Sequence, residues 1–351
     1  MQKVYVGNLA IGGGEPVRVE SMITPPLTAP DQCLEQVEEL AQLGAELLRV
    51  ALPSKQEAKA LKDLVKKSPI PLMADLHFDP ELVYAALDAE IASIRLNPGN
   101  MNSAKVKSVI KATIDAHVVV RIGANGGSLS RDQIAEAHGD KSLALANAVT
   151  EQARLMLDNG QENLIISAKC TDLRQALQAN TLLKTRFPYF PFHIGITESG
   201  WGRDGLIKSA AGIGGLLMAG IGDTLRVSLS AHPREEVLAG YSLLSALGLR
   251  HRGGQMISCP TCGRKKLDTA HLAPLVHELL PTMPDGMTIA VMGCEVNGPG
   301  EARNADIGIA GTASGLVLFQ KGKIVERCNH EEALDKLKAL VSATVENRSG
   351  H

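Results

Sequence analysis

Aromatic residues make up only 3% of the chain, with one tryptophan, and the formal charge is nearly balanced at -2. Nucleic-acid partners call for a basic surface and stacking rings, so these shortages argue against one. No apolar run reaches the roughly 18 uncharged residues that a membrane span needs, and no leader pattern is found, so the expected setting is cytoplasmic with no membrane. The dinucleotide fingerprint GxGxxG is missing after the first apolar run. The glycines of GIGGLLMAG at 212–220 fall inside a helical stretch and read as close packing. Six cysteines in such a chain are not expected to form a disulfide framework, and clustered ones point to metal or redox chemistry.

What is present is length and rhythm. A chain of 351 residues exceeds the size of about 250 at which one core stops growing, so two domains are expected. Short Val/Ile/Leu-rich runs at 17–22, 46–52, 71–76, 93–98, 117–124, 163–169, 192–197 and 224–229 read as strands. Amphipathic segments such as DQCLEQVEELAQLG, SAKVKSVIKATIDA and REEVLAGYSLLSALG separate or follow them. Helical crossovers force parallel strands buried on both faces. Eight such units predict a (β/α)8 TIM barrel over 1–250, with an open doubly wound sheet as the alternative. After HRGGQ the pattern changes, and 251–351 predict a small α+β domain with a turn at Lys321 and Gly322.

Five of the eight strands carry a cation late in the run: Arg49, Arg95, Arg121, Lys169 and Arg226. The C-terminal ends of barrel strands converge on one mouth, and cations crowded there ask for an anion. Guanidinium forks match phosphate oxygens, so a diphosphate is the natural guest. The plainer reading is pairing with carboxylates inside the barrel, for which Asp75, Asp79, Glu198 and Asp223 are available. Asn97, Asn125, Ser167 and Ser228 add neutral polar groups, each of which could also be a turn or cap residue. Asp75 and His77, two apart, share a side of strand three, and Glu198 follows strand seven. A carboxylate there could donate the proton that loss of a hydroxyl requires, or simply hold an arginine.

Cys259 and Cys262 form CPTC, and Cys294 follows in GCEVNGPGE. A short turn stiffened by Pro260 brings two sulfurs onto one metal or cluster. A closed zinc site wants a fourth ligand, which Cys328 could supply, so spacing alone leaves zinc and iron-sulfur both open. Cys33 and Cys170 read as small core residues. An electron carrier without a substrate and a zinc-stabilised barrel enzyme are the competing functional readings.

The segments YVGN, ADLHFD, RLNPGN, RIGANGGSL, GITESG, KSAAGIG, GIGDTLRVSL, CPTCGR and GCEVNGPGE, in that order, make the chain resemble the 4-hydroxy-3-methylbut-2-enyl diphosphate synthases of the methylerythritol phosphate route to isoprenoids. The resemblance spans nearly the whole chain and matches the two-domain bacterial form. It implies a 4Fe-4S cluster on Cys259, Cys262 and Cys294 with Glu301 as the fourth ligand. The implied reaction is reductive opening and dehydration of 2-C-methyl-D-erythritol 2,4-cyclodiphosphate. Arg49, Arg95, Arg121, Lys169, Arg226 and Ser228 would hold the diphosphate, supported by Asn97 and Asn125. Glu198 would serve as the acid-base residue, with Asp75 and His77 orienting substrate or water. Flavodoxin or ferredoxin would deliver electrons, and a homodimer would let the cluster domain of one subunit cap the barrel of the other. Two segments depart from the family pattern: ESMITPP at 20–26, where QSMTNT is usual, and SGWGRDG, which carries Trp201 where small residues are usual.

Overall fold

The computed structural model describes residues 2–76, 79–96, 103–295 and 302–349. The chain divides into two compact units, Met1–Leu249 and Arg250–His351.

The first unit opens with a hairpin, β1 (Lys3–Val6) and β2 (Leu9–Gly12). Eight parallel strands follow: β3 (Arg18–Met22), β4 (Leu47–Ala51), β5 (Leu72–Asp75), β6 (Ser93–Leu96), β7 (Val119–Asn125), β8 (Leu164–Lys169), β9 (His193–Ile194) and β10 (Thr224–Leu225). Their order is β8-β7-β6-β5-β4-β3-β10-β9, and a parallel bridge from Ile166 to Phe192 brings the two ends together. This is the barrel expected from the eight apolar runs, not the open sheet.

The crossovers are α1 (Pro30–Leu43), α2 (Ala58–Lys67), α3 (Pro80–Asp88), α4 (Ser103–Asp115), α5 (Arg131–Glu136), α6 (Lys141–Asp158), α7 (Leu173–Arg186), α8 (Gly202–Met218) and α9 (Pro233–Ala246). Their starts follow the chain's own punctuation. Pro30, Pro80 and Pro233 each stand first in a helix, where a missing N–H costs nothing. Asp79, Asp140 and Asp172 cap with their carboxylates, so Asp79 accepts from the Glu81 amide at 3.0 Å and is no partner for a barrel cation. Outward-facing strand residues and inward-facing helix residues, such as Val37, Leu48, Val83, Ile94, Val149 and Ile166, form the main core between ring and helices. Inside the ring, Leu47, Met73, Val119 and Ile165 pack on Val4, Val6 and Ile11 of the hairpin, an apolar plug at the N-terminal end. The charged residues of the strands lie above that plug.

The second unit is a five-stranded mixed sheet in the order β11 (Gln255–Ser258), β12 (Thr288–Met292), β13 (Ile307–Thr312), β14 (Gly315–Gln320), β15 (Lys323–Cys328). The first three strands run parallel and the last two antiparallel. Lys321 and Gly322, with φ of 48° and 75°, form the two-residue turn between β14 and β15. Positive φ at both positions matches the twist of the flanking strands. Helices α10 (Thr269–His277) and α11 (Ala333–Ser349) cover the sheet, packing Leu272, Val276, Leu337 and Val341 on Ile289, Ile307 and Leu318.

Candidate active site

The C-terminal ends of the barrel strands surround a cavity of about 380 Å³ lined by Arg49, Asp75, Arg95, Asn125, Lys169, Glu198, Arg226 and Ser228, together with Thr197, Ser199, Ser230 and Glu236. Each position follows from the strand that carries it. Lys169 is the last residue of β8, Arg95 lies one from the end of β6, and Arg226 and Ser228 follow β10 directly. His77, Asn97 and Glu301 lie outside the described residues.

The cations are not a bare positive ring. Asp75 bridges two of them: Oδ2 takes Arg49 Nη2, and Oδ1 accepts from Arg95 Nη1 at 3.3 Å. Burial pushes the Asp75 carboxyl up, but the guanidinium groups of Arg49 and Arg95 outweigh it and hold the pKa down at about 2. Asp75 is therefore ionised at neutral pH and holds the two arginines in place rather than donating a proton. Arg226 is gripped by Glu236, from the first turn of α9, through Nε to Oε2 and Nη2 to Oε1, both at 3.2 Å. Glu236 is buried and also accepts from Ser21 Oγ at 2.8 Å and from the Leu229 amide at 3.1 Å. Lys169 makes no ion pair among the described residues.

Arg121, the fifth expected cation, pairs in register with Arg95 of β6 and keeps its side chain inside the barrel. Strand β7 runs on to Asn125, so Arg121 stands four residues before its end. It does not line the cavity. Its side chain is 2% exposed, and Nη1 donates to both oxygens of Glu20 at 2.7 and 2.6 Å. The departure at the start of ESMITPP thus places a carboxylate inside the barrel, opposite Arg121. Glu20 and Glu236 were not among the expected partners; Asp223 was, but it accepts the Phe192 amide at 2.8 Å. One signal for Glu20 was available, because a period of two in RVESM puts Arg18, Glu20 and Met22 on one face of β3.

Glu198 stands exposed at the rim with φ of 46°. A left-handed backbone at a non-glycine residue is uncommon and collects at functional sites. The backbone turns there, with Lys208 Nζ donating to the Glu198 carbonyl at 3.2 Å and the Ser230 amide to the Gly200 carbonyl at 3.0 Å. The loop holding Glu198 is fixed from both sides, and Glu198 lines the cavity.

In the second unit, β11 and β12 pair with Ser258 opposite Val291, so CPTC and Cys294 leave the sheet at the same end. The Cys259 amide donates to the Val291 carbonyl at 3.2 Å, and the Gly293 amide donates to Cys259 Sγ at 2.9 Å. A backbone donor aimed at sulfur suits a metal-bound thiolate. Cys294 is buried and Cys262 exposed. Among the described residues, no three His, Cys, Asp or Glu side chains close on a single ion. A cubane asks its cysteines to surround it, one sulfur to each iron, rather than to meet at a point. The donor set and the hydrogen-bonded sulfur fit such a cluster.

Two family models match the chain: the GcpE TIM-barrel domain over residues 1–241 and the GcpE protein C-terminal domain over 255–343. The 4-hydroxy-3-methylbut-2-en-1-yl diphosphate synthase (flavodoxin) of Natranaerobius thermophilus is 40% identical over 344 residues, covering 98% of this chain and 96% of that protein. The enzyme of the same name from Thermotoga petrophila is 39% identical over 345 residues, covering 98% of each. Among solved structures, dihydropteroate synthase from Stenotrophomonas maltophilia superposes on 71% of this chain and 97% of its own, with a TM-score of 0.52 and 15% identity, a likeness of barrel fold alone.

Proposed function

Because the chain belongs to the GcpE family, whose curated members are 4-hydroxy-3-methylbut-2-en-1-yl diphosphate synthases, we propose that its barrel cavity binds 2-C-methyl-D-erythritol 2,4-cyclodiphosphate and that the chain converts it reductively to 4-hydroxy-3-methylbut-2-enyl diphosphate. The substrate takes up two electrons and two protons, its ring C–O bond breaks, and one hydroxyl leaves as water. The observation that carries the reading is the convergence of Arg49, Arg95, Lys169 and Arg226 on one cavity beside Glu198. Four cations against Asp75, Glu198 and Glu236 leave that cavity positive, as an anionic substrate requires.

The residues divide the work. Arg49, Arg95, Lys169 and Arg226 bind the diphosphate oxygens, with Ser228 and Asn125 donating to them, and with Asn97 in support from the RLNPGN motif. Arg121, tied to Glu20, completes the cation set that holds the diphosphate. Asp75 keeps Arg49 and Arg95 oriented, and His77 helps to orient substrate or water. Glu198 gives the proton that turns the departing hydroxyl into water. The unit carrying Cys259, Cys262 and Cys294 holds a 4Fe-4S cluster, with Glu301 as its fourth ligand. When bound, that cluster supplies electrons one at a time and an iron open to a substrate oxygen. A carboxylate is a harder and more exchangeable ligand for iron than a thiolate, which suits Glu301 to that open position.

Reduced flavodoxin, named for the relatives, is the proposed donor, with ferredoxin as its equivalent. The enzyme works as a cytoplasmic homodimer in which the cysteine unit of one subunit caps the barrel of the other. No described helix is long and apolar enough to cross a membrane. The test is an anaerobic assay with the cyclic diphosphate and reduced flavodoxin. Brown protein with close to four irons per chain and turnover that vanishes without reductant is expected. A colourless, zinc-loaded protein that turns over without reductant overturns the reading.

A further inference from the structure

The middle of the barrel contains a buried ion pair where branched aliphatic side chains ordinarily fill the space. Glu20 on β3 and Arg121 on β7 have side chains 0% and 2% exposed. His193 on β9 lies 3.6 Å from the same carboxylate and 2.8 Å from Thr224 Oγ1. Around them Arg121 Nη2, His193 Nε2 and Ser167 Oγ are buried with no hydrogen-bond partner among the described residues. As scaffold this layer is costly. A buried ion pair does no better than apolar residues of the same volume, and each unsatisfied polar atom adds to the loss. Groups of this kind are found where a site needs them.

The site needing them is directly above. Lys169 ends β8 at the cavity and makes no ion pair among the described residues. A Cβ on Gly195 would come within 3.4 Å of Lys169 Cδ and 2.8 Å of the Arg226 carbonyl, so glycine at that position leaves room for the lysine stem. We propose that Glu20 is a positioning residue of the anion site: its carboxylate holds Arg121 inside the barrel and offsets part of the positive charge that this guanidinium sets against Lys169, the cation facing the bound diphosphate. The proposal rests on the reading of the cavity as a diphosphate site.

The charges facing Lys169 set the sign of its consequence. Arg49 from β4, Arg121 from β7 and Arg226 beyond β10 oppose its protonation, and Glu20 from β3 favours it. Asp75 and Glu236 are engaged with Arg49 and Arg95 and with Arg226, and Glu198 stands at the rim. His193 is kept neutral, by burial first and then by the surrounding cations. Burial and the guanidinium groups hold the Lys169 pKa well below that of a free lysine, with Glu20 pulling the other way. Removing Glu20 therefore lets Lys169 lose its proton at a lower pH, and removing Arg121 has the opposite effect.

Inorganic diphosphate is titrated calorimetrically into the anaerobic full-length holoenzyme across pH 6 to 10. The wild type is compared with Glu20→Gln, Arg121→Met and Lys169→Met; the titration of the diphosphate itself is common to all four. Affinity is expected to fall on an alkaline limb that Lys169→Met lacks. Glu20→Gln should move that limb down by about one pH unit, the lower end of what one opposite charge at close range supplies, and Arg121→Met should move it up. Either variant alone suffices if the other does not fold. A limb that stays in place, or moves the other way, overturns the role of Glu20. Failure of the wild type to turn over the cyclic diphosphate would sink the substrate reading instead, and absence of diphosphate binding would sink the anion site.

Discussion

Arg95 Nη1 donates to Asp75 Oδ1 at 3.3 Å, while the second oxygen of that carboxylate holds Arg49. One acid thus orients two of the cations that face the cavity, and its loss should be felt in stability as well as binding. Because the folded pKa is depressed to about 2, the contribution is complete above the unfolded value of about 4 and disappears as pH falls through 2. Asp75→Asn is expected to cost about 2 kcal/mol at pH 7. Urea unfolding followed by far-UV circular dichroism checks this: the gap between wild type and variant should close between pH 4 and pH 2. A gap that persists unchanged at pH 2 would remove the ion pairs as its cause.

Arg226 is held by Glu236 in a two-point fork, and the same guanidinium faces the cavity. Lysine at 226 keeps the charge but cannot reproduce the fork. Arg226→Lys is expected to raise KM for the cyclic diphosphate by about 10- to 100-fold, the equivalent of one charge-assisted contact of about 1.5 to 3 kcal/mol. The kcat should stay within a few-fold. Steady-state kinetics that instead show a collapse of kcat at constant KM would move Arg226 from binding to chemistry.

Glu198 carries the opposite expectation. Its strained backbone and exposed carboxylate belong to a group aimed at substrate rather than at a structural partner. Glu198→Gln should lower kcat by about 10² to 10⁴, the usual worth of a positioned acid, and leave diphosphate affinity near that of the wild type. Loss of affinity with kcat preserved would make Glu198 a binding residue.

The parts of this structure that could be read from sequence are those where one physical rule acts alone. Strands buried on both faces appear as unbroken apolar runs, and all eight are present. The two last runs, read over six residues each, pair over only two, His193–Ile194 and Thr224–Leu225. Beyond them the chain stays extended, with the Arg226 amide on the Ile194 carbonyl and the Thr197 amide on the Cys170 carbonyl, but it peels from the ladder to carry Glu198 across the mouth. The cation positions were legible because charge is rare in such runs. Their partners were not, because Glu236 comes from a helix ten residues past Arg226 and reads locally as a favourable acid in a first helical turn. The end of β7 was legible to within one residue, at Asn125, but the carboxylate that Arg121 meets comes from β3, 101 residues away in the chain.

The cysteine unit makes a prediction that separates cluster from barrel. Cys259 Sγ accepts the Gly293 amide at 2.9 Å at the end of two paired strands; it is only partly buried at the edge of a smaller cluster around Met292 and Phe319, while the larger core of its unit is built from Leu272, Ile289, Leu318 and Leu337. Cys259→Ser should therefore fold and lose its iron, seen as a colourless protein whose far-UV circular dichroism matches wild type. Its barrel should still bind inorganic diphosphate. Glu301→Ala should also fold, but keep a cluster that is lost faster in air, with very low activity, because three thiolates still hold it while the exchangeable position has no ligand of its own. If Cys259→Ser retains its full iron content, the cysteine assignment is wrong; if Glu301→Ala is fully active, the open iron position is not set by that carboxylate.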